Sequence, residues 1–68
     1  MEFQIEVEQE DDGRWIAEVM DIPGLMVYGD DKAHAIAKSK ALAFRVLADW
    51  VENEEQPILL DSVVFAYT

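Results

Sequence analysis

Cysteine is absent from this 68-residue chain, so no disulfide can brace it and no thiolate can hold a metal ion. Basic residues are scarce: five Lys and Arg stand against fifteen Asp and Glu, for a net charge of −10. A surface that must neutralise phosphates cannot be built from that balance, which argues against direct nucleic-acid binding. Histidine occurs once, proline twice and glycine three times. A long apolar run is also missing. The most apolar stretch, Ala41 to Val51, is interrupted by Arg45 and Asp49 and is too short to span a bilayer. The N-terminus, Met1-Glu2-Phe3-Gln4-Ile5-Glu6, alternates and is acidic, unlike a secretory signal with its basic start. The expectation is a soluble cytoplasmic protein with no membrane partner.

Apolar residues make up 51% of the chain, too many for a disordered tail. Residues 1–68 read as one domain. A domain of this size buries only about 60% of its unfolded surface and is marginal alone. With no staple available, a homodimer or higher homo-oligomer is expected. The acidic surplus would steer the chain toward a basic partner, although it also serves solubility.

The hydropathy pattern changes period along the chain. Phe3, Ile5 and Val7 alternate with Glu2, Gln4, Glu6 and Glu8, the mark of a strand with one buried face. Glu10-Asp11-Asp12-Gly13 makes a hairpin turn, in which Gly13 supplies positive φ. A second strand runs from about Arg14 to Met20, with two largely apolar faces. Pro23 and Gly24 bend the chain into a short third strand, Leu25 to Tyr28. Gly29-Asp30-Asp31 closes that strand and provides a helix N-cap. Ala35, Ile36, Ser39, Leu42, Ala43, Val46, Leu47 and Trp50 then recur at three- and four-residue spacing, which predicts one helix from about Lys32 to Glu52. Asn53 to Pro57 ends it. The apolar, β-branched run from Ile58 to Tyr67 predicts a last strand over at least Ser62 to Tyr67. Its return through a helix favours parallel pairing, and its two apolar faces suit a place beside strand one, inside the sheet. The fold class is therefore α+β: a two-layer β-β-β-α-β arrangement. Its four-stranded mixed sheet has order 3-2-1-4, with one long helix on one face, as in a truncated ribonuclease-H-like fold.

Chemistry is harder to find. His34 falls in the first helical turn on the polar face, without the converging partners a metal or proton-transfer site needs. Glu10, Asp11 and Asp12 lack the spaced ligand loop of a calcium site. Nuclease members of ribonuclease-H-like folds need carboxylates from several elements around two metal ions. Only Glu6 on strand one is a candidate, and the helix stripe holds no acid. No triad, phosphate loop or dinucleotide motif is present. The reading is a non-enzyme with no cofactor, no metal and no catalytic residue. Trp15 and Trp50 fall on faces expected to be buried. What remains is surface. Ile16, Met20, Met26 and Tyr28 share the sheet face away from the helix, and Phe44 flanks the helix stripe near Lys40. These five are candidate apolar interface residues.

Four elements carry a family likeness when taken in order. They are Trp15-Ile16-Ala17, Asp21-Ile22-Pro23-Gly24, Gly29-Asp30-Asp31 and Ala35-Ile36. Their joint order from Trp15 to Ile36 resembles the N-terminal domain of HicB-like antitoxins. That resemblance implies a protein that sequesters a small, basic, RNA-cleaving toxin of the HicA type by covering its catalytic face. Glu6, Glu8, Glu10, Asp11 and Asp12 would attract such a partner. Longer members add a C-terminal DNA-binding module, and nothing in these 68 residues matches one, so operator binding by this chain is not expected. The alternative is an orphan structural or ligand-binding module that only self-associates.

Overall fold

The computed structural model describes residues 2–53 and 63–67. Strand β1 (Glu2–Gln9) alternates as its sequence requires: Phe3 and Ile5 are buried and Val7 is half-buried, while their neighbours face out. The turn Glu10-Asp11-Asp12-Gly13 closes with a Gly13 N–H to Glu10 carbonyl bond of 3.0 Å, and Gly13 has φ 92°. Strand β2 (Trp15–Val19) returns antiparallel to β1, with Ile5 opposite Val19 and Gln9 opposite Trp15.

The Asp-Ile-Pro-Gly segment has a physical logic of its own. Pro23 and Gly24 are the central residues of a turn closed by the Leu25 N–H on the Ile22 carbonyl at 3.2 Å. Gly24 has φ 79°, as the third position of a type II turn demands. Ile22 and Leu25 anchor the turn because both are buried. Asp21 then bonds outside its own turn: its Oδ2 accepts the backbone N–H of Gln4 at 2.7 Å. The carboxylate thus stands in for a further residue of β2 and satisfies a donor of β1 that would otherwise meet only water.

Strand β3 (Met26–Gly29) pairs antiparallel with β2, and helix α1 (Lys32–Asn53) follows after one bend. Asp31 caps the helix, accepting the His34 N–H at 2.7 Å. His34 Nδ1 in turn accepts the Asp30 N–H at 3.2 Å, so the single histidine serves the helix start. The connection is tight at buried Gly29. A Cβ there would lie 2.4 Å from the Ala35 nitrogen and 2.7 Å from its Cα. Gly29→Ala is expected to force the helix off the sheet locally and to destabilise by about 1–3 kcal/mol in urea unfolding, as overpacking typically does. A stability within experimental error of the parent would show that this approach is not needed.

Strand β4 (Val64–Tyr67) pairs parallel with β1, with Glu2 opposite Val64 and Ile5 opposite Tyr67. The architecture is the expected one: a four-stranded mixed sheet of order β3-β2-β1-β4 with one helix on one face, an α+β fold. Phe3, Ile5, Ala17, Val19, Ala35, Ile36, Ala43 and Leu47 are all buried in one core, against which Trp15, Leu42, Val46, Trp50 and Phe65 pack. Ser39, fully buried on the stripe, donates its hydroxyl to the Ile36 carbonyl at 2.7 Å and so leaves no polar atom unsatisfied.

One expectation is corrected. β4 does not lie inside the sheet. Among the described residues, in the order β3-β2-β1-β4, it pairs only with β1 and forms an edge, with Val64 and Tyr67 about half exposed. The expected first residue of that strand, Ser62, lies outside the described residues, and the described strand begins at Val64.

Candidate functional surface

The helix covers one face of the sheet and leaves the other uncovered by any described residue. Strand alternation puts Glu6, Glu8, Ile16, Glu18, Met20, Met26 and Tyr28 on that open face. Register then decides which of them meet. Glu6 stands directly opposite Glu18, Glu8 opposite Ile16, Glu18 opposite Met26 and Ile16 opposite Tyr28. Glu6, Glu8, Glu10, Ile16, Glu18 and Met26 converge on a shallow hollow of about 210 Å³.

This hollow is electrostatically unbalanced. Like charges directly across an antiparallel pair are destabilising, by up to about 1 kcal/mol. Glu6 and Glu18 are such a pair, and Glu8 is the diagonal neighbour of Glu18. Among the described residues, no Lys or Arg forms an ion pair with Glu6, Glu8, Glu10 or Glu18. Arg14, the nearest basic residue in sequence, is engaged twice elsewhere. Its guanidinium pairs with Asp12 at 2.7 Å and sits 4.3 Å from the centre of the Tyr28 ring.

Five of the ten sequence-nominated residues therefore come together: Glu6, Glu8, Glu10, Ile16 and Met26. Tyr28 and Met20 share the face, exposed by 40% and 48%. The other three nominations separate from the group. Asp12 is committed to its own turn: the backbone N–H of Arg14, and then its guanidinium, hold the Asp12 carboxyl below the usual carboxylate range. That local contribution is present at neutral pH and is lost as pH falls below that range. Asp11 stays exposed at the turn beside it. Phe44 lies on the helix flank against Phe65 of β4, ring centres 5.5 Å apart, and belongs to a different surface. Glu18 was missed, because its role appears only when β1 and β2 are set in register. The signal was available, since it is an acid at the centre of an otherwise apolar strand face.

Among the described residues, no group of three or more His, Cys, Asp or Glu is arranged to hold a metal ion. No helix among them is long and apolar enough to cross a membrane. Compared with family models, curated proteins and solved structures, the chain matches none.

Proposed function

We propose that this chain is a HicB-like binding protein, cytoplasmic and non-catalytic, that sequesters a small basic RNA-cleaving toxin of the HicA type. The toxin docks on the helix-free sheet face. One observation carries the reading: four glutamates converge around Ile16 and Met26, and among the described residues no cation pairs with them. An uncompensated acidic hollow with an apolar floor weakens the isolated fold and strengthens a complex with a basic surface. The flanking acids raise the encounter rate, and burial of Ile16, Met26 and Tyr28 slows dissociation.

The test is a binding measurement between purified chain and a catalytically inactive HicA-type toxin, followed by co-expression with the active one. Association is expected to be fast at low salt and to slow steeply with ionic strength, because exposed charges act over only about 8 Å at physiological salt. Co-expression should restore growth. Absence of binding at low salt, or binding indifferent to salt, would contradict the proposal.

A further inference from the structure

The sheet has two edges, and the described residues guard only one. At β3, Lys38 reaches down from α1 and donates to the Tyr28 carbonyl at 2.7 Å, the kind of lysine that blocks an edge from pairing. At β4, no described side chain bonds the strand's backbone, and the only described strand beside it is β1. Helix α1 turns a second row of residues toward this edge. Ala33, Ala37, Lys40, Phe44, Ala48 and Val51 follow at spacings of three and four, so they share one flank. The Lys40 ammonium lies 5.7 Å and 5.4 Å from the centres of the Phe65 and Tyr67 rings. Phe44, Val51, Val64 and Tyr67 are each exposed by 45–52%. Neither the helix row nor β4 contains an acid, in a chain with fifteen.

We propose that two copies of this chain meet on that flank, about a two-fold axis that sets β4 antiparallel to its counterpart and joins the two sheets into one of eight strands. Charge selects the occupant. A basic partner finds no carboxylate here. Two copies, each of net charge −10, can approach on this side without opposing their glutamates, whereas contact through the sheet face would set Glu6, Glu8, Glu10 and Glu18 against themselves. The strand's composition agrees. Its residues are apolar on both faces, which is unusual at an open edge and ordinary for a strand inside a sheet. A groove of about 460 Å³ between Lys32, Ile36, Lys40 and Tyr67 continues the flank and has room for side chains of the second copy. A self-complementary edge closes at two copies, with no open-ended growth. The two surfaces lie on different sides of the fold, so this inference does not depend on the toxin reading.

Sedimentation equilibrium on the full chain tests it. The parent is expected at a mass near twice 7.8 kDa at micromolar concentration. High salt should tighten the dimer by screening repulsion between the two copies, opposite in sign to its effect on a basic partner. Ala37→Glu and Phe44→Glu should return the single-chain mass, and Met26→Glu should leave the dimer intact. Ala37 is already exposed in the single chain and glutamate favours helix, so its loss of dimer cannot be assigned to misfolding if the helical circular dichroism is unchanged. Backbone amides of Val64 to Tyr67 should exchange more slowly as concentration rises. A parent that stays at single-chain mass in the hundreds of micromolar would overturn the proposal. So would a dimer that Ala37→Glu and Phe44→Glu spare, or one that Met26→Glu breaks.

Discussion

Replacing Glu6, Glu8, Glu10 and Glu18 together by glutamine is expected to slow association with a HicA-type toxin by about ten-fold or more at low salt, while leaving the free protein as stable or more so. The two halves of this result have one cause. Net charge falls from −10 to −6 with the loss of four negative charges, all from the one face that would meet the partner. Removing the opposed Glu6 and Glu18 charges also relieves a like-charge cross-strand pair, a gain of about 0.2–1 kcal/mol. A merely structural role for these glutamates would give the opposite sign in urea unfolding. Stop-flow mixing separates the rates. The glutamine variant should change mainly the on-rate, whereas Ile16→Ala with Met26→Ala should change mainly the off-rate.

The largest effect on stability is expected at Leu47. It is 2% exposed and sits where the helix stripe meets the buried residues of β1 and β2. Leu47→Ala should cost about 2–5 kcal/mol, combining lost transfer energy with a cavity that a 22-residue helix cannot fully close. A domain of this length has a total stability of roughly 3–10 kcal/mol, so the variant should be partly unfolded at ambient temperature. Arg45→Ala on the opposite, solvent-facing side should stay within about 0.5 kcal/mol of the parent. If urea unfolding shows the two variants equally stable, the helix does not lie on the sheet as described.

The periodicity of the sequence was enough for the layers. Period two in Phe3, Ile5 and Val7 and the three-four spacing from Ala35 to Trp50 each specify a buried face, and two such faces must meet. The helix begins at Lys32 as expected because Asp31 has the side chain to cap it, and it is helical through Asn53. What escaped the sequence depends on partners distant along the chain. Asp21 carries no sequence signal for its bond to Gln4, a residue seventeen positions away. Asp12 and Glu10 looked equivalent, but the Arg14 guanidinium is close enough to only one of them. Glu18 became part of the candidate site through its pairing with Glu6, which composition cannot reveal. Apolarity on both faces of β4 suits burial within the sheet. Among the described strands it is an edge, and the proposed second copy would supply the missing neighbour.

The face that meets a basic partner can be read residue by residue. Isotope-labelled chain titrated with a catalytically inactive HicA-type toxin, followed by amide chemical-shift mapping, gives the footprint directly. The account predicts shifts concentrated at Glu6, Glu8, Ile16, Glu18, Met26 and Tyr28, abolished by high salt, with Ala37, Lys40 and Phe44 unmoved. A footprint centred on Ala37, Lys40 and Phe44, or no footprint at low salt, would contradict it.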